Sequence, residues 1–353
     1  MANQNILIIG GGPAGIEAAK GIAALGYKAV LVEKRDRLGG TPDEAQYAAL
    51  TPDFRDTDEA LGEMMAPILD NENVEILTNT LVTGAEGSKG DFTVKAVSLG
   101  KEIEIKAGAV IICTGFQHFD PGRETQKYGY YEHDDVITLT DAEKMLKAHN
   151  FVRPSNGEKP KRVCFIQCVG SRDRQIGNEY CSKVCCGIAS KQSIEIRRLL
   201  PDCKVFIFYI DMRMYGYWEN EIYWVAQEQH KVNYVKGMAT EIVKKGDKLL
   251  VKGEDTTLRR PMEVPMDMVI LSVGMESSEG TRQMAAIFGL KQNKYNFIET
   301  TGGVLDTVST SVPGVFAAGA ATGPADLEDS VSSAGLAAMK AIATVRQSQM
   351  IGA

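Results

Sequence analysis

The sequence contains no apolar segment long enough to cross a membrane and no excess of basic residues. Its 39 Lys and Arg residues are outnumbered by 46 Asp and Glu residues, which gives a formal net charge of −7. This balance excludes nucleic acid and anionic membrane surfaces as the main partner. Because the chain starts directly with a strand-like apolar run, we expect neither a membrane span nor a leader segment, and therefore a cytoplasmic location.

Histidine is scarce, and no disulfide framework is indicated. None of the four histidines has a sequence neighbour that signals catalysis, so we predict no catalytic side chain. Seven cysteines, an odd number, in a chain that starts without a leader point to reduced thiols. A length of 353 residues exceeds one comfortable core and predicts two domains, or one domain inserted in another.

A glycine-rich phosphate-binding turn is missing from a place where the layout of the chain calls for one. An apolar run of strand length at 163–167 is followed by a helical pattern at 183–200 and a second apolar run at 204–210. This order is the plan of a nucleotide-binding βαβ unit, whose first turn normally carries glycines. Without them, Asp211 and Arg213 after the last run are better explained by a salt-bridged loop than by ribose recognition.

Cysteines occupy this turn instead. Cys168 follows the strand, and Cys181, Cys185 and Cys186 stand at the start of the helical pattern, where Cys181 and Cys185 are expected to share one helix face. Thiolates that converge at the carboxyl end of a strand suit zinc or an iron–sulfur cluster. Adjacent cysteines fit the paired knuckles of structural zinc poorly, while plain core packing would explain one or two of them. We therefore predict a metal site, with a cluster favoured. The remaining cysteines are predicted to be packing residues: Cys113, Cys164 and Cys203.

The N-terminal part of the chain carries a conventional dinucleotide motif. A buried strand at 6–9 leads into G-G-G-P-A-G at 10–15, a helix follows at 16–25, and a second strand at 29–32 ends at Glu33. Gly10 makes the turn, Gly12 lets the backbone approach a pyrophosphate, and Gly15 allows the helix to pack closely on the strand. The helix N-terminus faces the phosphate charge, and Glu33 accepts hydrogen bonds from the ribose. The motif predicts FAD or NAD without distinguishing them.

The remaining elements are predicted from residue patterns. Helices are expected at 57–69 and at 141–147, the second capped by Thr140, and β segments at 74–77, 80–85, 92–99 and 103–106. The strand at 268–273 is expected to return to the first sheet. A group of aromatic residues is interpreted as core, with a subunit interface as the alternative: Tyr215, Tyr217, Trp218, Tyr223 and Trp224.

Three further segments extend the dinucleotide motif: R-L-G-G at 37–40, V-I-I-C-T-G at 110–115 and T-S-V-P-G-V-F-A-A-G at 310–319. With them the chain resembles, over nearly its whole length, the flavoprotein disulfide reductases of the thioredoxin-reductase-like branch. The resemblance implies an α/β fold of two dinucleotide-binding-type three-layer domains, the second inserted in the first. The expected parts are an FAD domain at 1–117, an NAD(P)-domain-like module at 118–265 and a returning FAD segment at 266–353. The resemblance also implies FAD, bound by these residues: Gly10, Gly12, Pro13, Ala14, Gly15, Glu33, Lys34, Gly40, Thr41, Val82, Thr114, Gly115, Gly319 and Ala320.

The cysteine motif narrows the resemblance. C-V-G-S-R-D at 168–173, Y-C-S-K-V-C-C at 180–186 and G-A-A-T-G-P at 319–324 are similar to the A subunit of heterodisulfide reductase. In that family four cysteines of this pattern hold a [4Fe–4S] cluster beside FAD, and Ala320 replaces an acidic residue of other flavoprotein reductases. The C-x₂-C-x₂-C runs of the longer methanogen subunits are missing, which puts electron bifurcation to ferredoxin in doubt. The length of the chain and its single cysteine motif match the short form of this subunit in the heterodisulfide-reductase-like system of sulfur oxidisers. The implied cluster ligands are Cys168, Cys181, Cys185 and Cys186.

The resemblance implies an electron-transfer subunit with FAD and [4Fe–4S], in a complex that oxidises sulfane or lipoyl-bound sulfur. Its partners would be iron–sulfur B- and C-type subunits, a lipoyl-carrying protein and a second copy of the chain. NAD(H) would react at the flavin and not in the second domain. Pro324 is expected to start a helix at 325–345 whose N-terminus favours anionic reduced flavin. Two alternatives remain: an NAD(P)H-dependent disulfide reductase with a Cys181–Cys185 redox pair, and an iron–sulfur sensor or scaffold.

Overall fold

A computed structural model of the chain describes residues 4–352, which form two compact units. Within these residues, the first unit comprises 4–44, 58–117 and 276–352, and the second comprises 45–57 and 118–275. The expected insertion of a second α/β unit in the first is confirmed. Between residues 4 and 352, no helix combines the length and the apolar character that crossing a membrane requires.

Between residues 4 and 352 the structure contains strands, helices and short helical turns. In chain order the strands are β1 (Ile6–Ile9), β2 (Ala29–Val32), β3 (Val74–Leu77), β4 (Thr80–Ser88), β5 (Asp91–Ser98), β6 (Lys101–Ala107), β7 (Ala109–Ile112), β8 (Phe116–His118), β9 (Val136–Thr138), β10 (Arg162–Val169), β11 (Lys204–Tyr209), β12 (Asn233–Lys245), β13 (Lys248–Asp255), β14 (Arg260–Met266), β15 (Met268–Val273), β16 (Met275–Ser277) and β17 (Val315–Ala317). The helices are α1 (Pro13–Ala24), α2 (Gly40–Glu44), α3 (Thr57–Leu69), α4 (Thr125–Tyr128), α5 (Leu139–Lys147), α6 (Cys185–Leu199), α7 (Val225–Glu228), α8 (Glu279–Phe288) and α9 (Leu327–Gly352). Short 3₁₀ turns lie at Pro121–Glu124, Gly303–Leu305 and Gly319–Ala321, and a π-helical turn at Glu219–Trp224.

The first unit is built on a five-stranded parallel sheet of order β17-β7-β1-β2-β3. Every residue of β1, β2 and β7 is buried, as expected for parallel strands covered on both faces. The helix α1 packs against α9, and a Cβ placed on Gly21 would lie 3.7 Å from the Ala338 Cβ atom. A separate antiparallel sheet, β4-β5-β6, confirms the predicted β segments between 80 and 106. The helix predicted at 57–69 and the strand predicted at 74–77 have the same bounds in the structure.

The second unit contains a seven-stranded sheet of order β14-β13-β12-β11-β10-β15-β9. The strands β9, β15, β10, β11 and the start of β12 run parallel. The strands β12, β13 and β14 form an antiparallel meander at the edge. This sheet is the second dinucleotide-type layer, and its central strand β10 carries Cys168 near its carboxyl end.

Several predictions about boundaries are wrong. The strand β15 does not return to the first sheet, because it pairs with β10 and β9, so the second unit extends to 275 and not to 265. The segment 45–57 belongs to the second unit as well. The cap of α5 is Thr138, whose hydroxyl accepts the Asp141 amide while the Asp141 carboxylate accepts the Thr138 amide. The C-terminal helix begins at Leu327, beyond Pro324.

Buried polar groups attach the segment 45–57 to the helix that follows the cysteine motif. The Lys191 Nζ atom on α6 donates to the Ala49 carbonyl oxygen at 2.8 Å and lies 2.6 Å from the Glu143 Oε1 atom. The Glu143 Oε2 atom accepts the amide of Ala48 at 2.9 Å. Lys191 and Glu143 are both 2% exposed, so each charge depends on the other for its solvation. This network fixes α6, and with it the cysteines at its start.

Candidate cofactor-binding sites

The predicted dinucleotide residues of the first unit lie where the parallel strands end. Gly10 follows β1, Glu33 follows β2, Thr114 follows β7 and Gly319 follows β17. These strands are neighbours in one parallel sheet, so their carboxyl ends meet at the same edge. That edge is where open α/β sheets bind ligands.

The glycines of the first turn serve different purposes. A Cβ on Gly10, whose φ is +113°, would lie 2.3 Å from the Cys113 carbonyl oxygen, and a Cβ on Gly15 would lie 1.8 Å from the Gly10 carbonyl oxygen. Both glycines are therefore required by packing within the protein. Among the described residues, the only atom within 4 Å of a Cβ placed on Gly12 would be the Gly40 Cα atom, at 3.4 Å. Gly12 leaves open space beside the turn, as approach of a pyrophosphate would require.

Charge at this edge also fits a dinucleotide. The carboxylate of Glu33 is buried and accepts the Gly11 amide at 2.7 Å and the Arg35 amide at 2.8 Å. Each carboxylate oxygen can accept a further hydrogen bond, such as one from a ribose hydroxyl. The helix α1 begins at Pro13, and no side chain among residues 4–352 caps its first amides. Uncapped amides at a helix start are suited to a phosphate, so the residues present fit FAD.

The other flavin residues inferred from the resemblance lie in the same unit. The Gly40 backbone, with φ +60°, approaches Gly12 so closely that a Cβ on Gly40 would lie 2.6 Å from the Gly12 Cα atom. The Thr114 hydroxyl is 2.8 Å from that of Thr281, and the Gly319 amide donates to the Ser333 hydroxyl at 3.0 Å. Thr281 and Ser333 were missed because neither belongs to a motif. Of the rest, Lys34 is exposed, Thr41 and Gly115 are half-buried, and the following are buried: Ala14, Val82 and Ala320.

In the second unit a β-bulge sets the position of Cys168. Ile166 is paired with Leu271 and Val169 with Val273, so the two residues between them on β10 face the single residue Ser272 on β15. Cys168 takes a φ of +63°, a left-handed conformation that non-glycine residues rarely adopt. Bulges re-aim side chains beside functional sites, and strained backbone concentrates there. The predicted strand is thus longer than expected, and Cys168 lies within it.

Cys185 contacts two of the other predicted metal ligands. The Cys185 thiol, at the first position of α6, hydrogen-bonds to the sulfurs of Cys168 and Cys186. The hydrogen bond from Cys185, assisted by the Arg172 guanidinium and opposed by burial, lowers the pKa of Cys168 to about 7. The hydrogen bond from Cys185 likewise lowers the pKa of Cys186. These bonds to its two neighbours, with burial, raise the pKa of Cys185. At Cys168 and Cys186 these shifts favour the thiolate, the form that binds metals.

Cys181 does not share a helix face with Cys185, which corrects the prediction. The helix α6 begins only at Cys185, because Lys183 takes a left-handed φ of +66°. The Cys181 sulfur accepts the amide of Lys183 at 3.3 Å in the loop before the helix. The next residue, Ser182, accepts the Met275 amide at 2.9 Å through its hydroxyl. Cys181 therefore lies in the loop, while Cys185 and Cys186 lie at the start of the helix.

An arginine missed by the sequence reasoning lies beside the thiols. The Arg172 Nη1 atom is 3.9 Å from the Cys168 sulfur and also pairs with the Asp211 carboxylate. The Arg213 Nε atom is 3.6 Å from the same carboxylate. The salt-bridged loop predicted for Asp211 and Arg213 is confirmed. The motif C-V-G-S-R-D, whose arginine is four residues after the cysteine, was the available signal.

A single metal ion and an iron–sulfur cluster would make different demands on these thiols. Among residues 4–352, no three His, Cys, Asp or Glu side chains are grouped so that they could hold one metal ion. A cubane cluster makes a different demand, since its four thiolates bind four separate irons. Close to the cysteines, Gln167 and Ser171 are buried, and their side-chain polar atoms have no hydrogen-bond partner within the described part of the chain. The soft ligands Cys168, Cys185 and Cys186 and the unpaired buried donors close to them are compatible with an iron–sulfur cluster.

The three cysteines that were predicted to be packing residues are buried. Burial raises the pKa of Cys113 and Cys203 to about 12 and also raises that of Cys164. Such thiols stay protonated and inert at neutral pH. All seven cysteines are free in the described structure.

The aromatic group after β11 is mostly exposed, so its interpretation as core is largely wrong. Trp218 alone of the predicted five is buried, at 7% exposure, and it packs where Gly187 leaves room on α6. Tyr217 is 79% exposed, Tyr215 46% and Trp224 42%. The sequence could not show this, because the side chains belong to a π-helical turn and its flanks, without a regular apolar face.

Comparison with known proteins supports both the fold and the resemblance. The chain matches the family described as pyridine nucleotide-disulphide oxidoreductase over residues 4–166 and 176–350. It is 32% identical to the A subunit of the H(2):CoB-CoM heterodisulfide,ferredoxin reductase of Methanothermobacter thermautotrophicus, across 98% of this chain and 64% of that protein. It is 31% identical to the iron-sulfur A subunit of the CoB--CoM heterodisulfide reductase of Methanocaldococcus jannaschii, across 94% of this chain and 63% of that protein. The chain thus spans less than two thirds of these relatives.

Solved structures bear out the fold. The thioredoxin reductase of Lactococcus lactis matches with a TM-score of 0.66 at 20% identity, over 98% of this chain and all of that chain. The thioredoxin reductase of T. acidophilum matches with a TM-score of 0.64 at 19% identity, over 99% of this chain and all of that chain. The predicted thioredoxin-reductase-like fold and the resemblance to heterodisulfide reductase A subunits are confirmed. The chain belongs to the pyridine nucleotide-disulphide oxidoreductase family and is a flavin-dependent oxidoreductase.

Proposed function

We propose that the chain is an electron-transfer subunit of a heterodisulfide-reductase-like complex, with FAD in the first unit and a [4Fe–4S] cluster in the second. The observation that carries the proposal is the contact of Cys185 with Cys168 and Cys186 at the end of β10. In a dinucleotide-binding unit this is the place of a glycine turn. Cys181, in the adjoining loop, completes a set of four thiol ligands.

The loop between β10 and α6 supports the proposal because it covers the position of a second dinucleotide. Its Tyr180 hydroxyl donates to the Met275 carbonyl oxygen at 2.7 Å, and its Ser182 hydroxyl accepts the Met275 amide. A Cβ on Gly274 would lie 3.1 Å from the Ser171 Cβ atom. The loop thus packs on the end of β15 and leaves no glycine turn for a pyrophosphate. Any NAD(H) that reacts would do so at the flavin.

The relatives support the same assignment. The Methanocaldococcus jannaschii protein is named as the iron–sulfur A subunit of a heterodisulfide reductase. When bound, FAD exchanges electrons in pairs or singly and the cluster exchanges them singly, so together they link two-electron to one-electron chemistry. In our proposal the chain holds these cofactors for a cytoplasmic complex that oxidises sulfane or lipoyl-bound sulfur. Its partners would be B- and C-type iron–sulfur subunits, a lipoyl-carrying protein and a second copy of the chain.

Metal and flavin analysis of the anaerobically purified chain tests the proposal. We expect one FAD and about four irons with matching acid-labile sulfide per chain, and a broad visible absorption that bleaches on reduction. Zinc without iron, or flavin without any metal, would overturn the cluster assignment. Size measurement by mass photometry, and pull-down of the separately produced B- and C-type subunits, test the assembly.

A further inference from the structure

Gln167 is a buried amide that nothing in the described protein satisfies. The residue precedes Cys168 in β10 and is 6% exposed, and neither its Nε2 nor its Oε1 atom has a hydrogen-bond partner among residues 4–352. Ser272, which faces it across the bulge, is fully buried, and its hydroxyl is likewise unpaired within those residues. Leaving buried polar groups unpaired costs about 1–3 kcal/mol each. Two unpaired buried polar groups at one place indicate that a hydrogen-bonding group from outside the described protein belongs there.

Strand alternation shows where the Gln167 side chain is directed. Val163 and Phe165 of β10 belong to the same apolar cluster as Cys185 and Cys186 of α6, whereas Cys164 and Ile166 belong to the cluster on the opposite face. Since successive side chains of a strand alternate between faces, Gln167 lies on the face that carries Cys185 and Cys186. The same alternation along β15 places Ser272 on that face, because Ile270 is in the cluster of Cys185 and Leu271 is not.

We propose that the Gln167 side-chain amide is a hydrogen-bond donor to the sulfur atoms of the cysteine-bound cluster, and so helps to set the potential of that cluster. This inference rests on the proposed function. Hydrogen bonds to cluster sulfurs stabilise the more negative, reduced state and raise the potential. The bulge explains why the residue can do so: it inserts one extra position into β10, and Gln167 and Cys168 both occupy it. In this proposal Gln167 contacts the cluster through a hydrogen bond and is not one of its ligands.

The test uses the full chain with both cofactors bound. Gln167→Met keeps the length of the side chain and removes its polar end, and Gln167→Leu removes the donor in a second apolar shape without adding charge. Ile166→Val is the matched control, because Ile166 is the buried neighbour on the opposite face of the same strand. Each protein is analysed for iron and FAD and then titrated by EPR-monitored reduction. Selective ¹⁵N labelling of glutamine side chains with pulsed EPR reports nitrogen that is coupled to the reduced cluster.

We expect Gln167→Met and Gln167→Leu to retain iron and FAD while the one-electron reduction equilibrium becomes at least tenfold less favourable, which is a 59 mV lower potential. The ¹⁵N coupling should be lost in both, and Ile166→Val should change neither readout. An unchanged potential in an iron-loaded variant would overturn the inference. So would loss of iron from both variants, since Gln167 would then be needed to build the site. Absence of iron from the unmodified protein would instead refute the proposed function itself.

Discussion

The thiol of Cys185, the first residue of α6, donates a hydrogen bond to the sulfur of Cys168, which lies in the bulge of β10. In the second dinucleotide-type unit, the segment between β10 and α6 is therefore bridged by a contact between two sulfur atoms. Related folds have a glycine-rich backbone turn at this place. The left-handed conformation of Cys168 makes the sulfur contact possible. The first unit keeps its glycine turn, so the corresponding turns of the two units differ: glycine backbone in the first and cysteines in the second.

Gly12→Val should give a folded protein that does not bind FAD. The Gly12 position has space within the protein, since a Cβ there would approach just the Gly40 Cα atom among the described residues. A side chain would therefore obstruct the pyrophosphate while disturbing little else. We expect flavin absorbance to fall at least tenfold in the purified variant. The control is Gly62→Ala in α3, where an added Cβ meets nothing within 4 Å among the residues the structure describes. Full FAD in Gly12→Val would mean that the turn does not bind the cofactor.

Alanine substitution of any proposed ligand should lower iron and leave FAD in place. Each removes one of four thiolates, so we expect iron to fall from about four atoms per chain to fewer than two. The variants are Cys168→Ala, Cys181→Ala, Cys185→Ala and Cys186→Ala.

Cys164→Ala and Cys203→Ala are matched controls in the same unit, because both thiols are buried and their pKa is raised by burial. They should retain iron and lose about 1 kcal/mol of stability from the small cavity. A full iron content in Cys181→Ala would remove that residue from the ligand set and reopen the assignment of the fourth position.

Acid should destabilise the second unit through Asp267. Although burial alone would raise it, the pKa of Asp267 is held below its ordinary value by the Lys248 ammonium and by the amides of Lys161 and Arg162. A lowered folded-state pKa means that the stabilisation is present at neutral pH and is lost as the pH falls through the ordinary and then the lowered pKa. Asp267→Asn should cost about 1–3 kcal/mol in urea unfolding at pH 7. The difference from the unmodified protein should shrink below about pH 4. Asp202→Asn, at an exposed position, is the control, and a difference that grew on acidification would contradict the prediction.

The buried ion pair under α6 should be sensitive to loss of one partner. Lys191→Met would leave the Glu143 carboxylate buried without its counter-charge, which typically costs about 3–5 kcal/mol. Urea unfolding of the second unit measures this cost. Adding Glu143→Gln should recover part of it, because the remaining group is then neutral. The surface pair of Lys20 and Glu17 offers a control, since Lys20→Met should cost about 0.5 kcal/mol or less. Equal costs at the two sites would show that the buried pair contributes little.

Much of the fold followed from short apolar runs. The buried strands β1 and β2 and the helix α3 were predicted because burial on both faces and helical periodicity leave clear patterns. The strand β15 was assigned to the wrong sheet. Its residues Met268–Val273 are wholly buried, and a continuous apolar run shows that a strand is central without showing which sheet contains it.

The residue types of the cysteine site were predicted from the sequence, but the geometry of the site was not. The types and spacing of the residues were sufficient to indicate soft metal ligands. A left-handed Cys168 and Lys183 could not be read from the sequence, because neither is glycine and both conformations are imposed by tertiary contacts. For the same reason Gln167 was missed, since its orientation depends on the bulge.

We propose that this chain passes electrons to iron–sulfur chemistry and not from NAD(P)H to a disulfide. The most direct measurement is anaerobic steady-state turnover of the FAD- and iron-loaded chain with NADH or NADPH, with and without a thioredoxin-like disulfide. We predict slow flavin reduction whose rate is unchanged by the disulfide, because the loop on β15 leaves no pyrophosphate turn in the second unit. Rapid turnover that requires the disulfide and is abolished in Cys181→Ala would contradict the claim and identify a disulfide reductase.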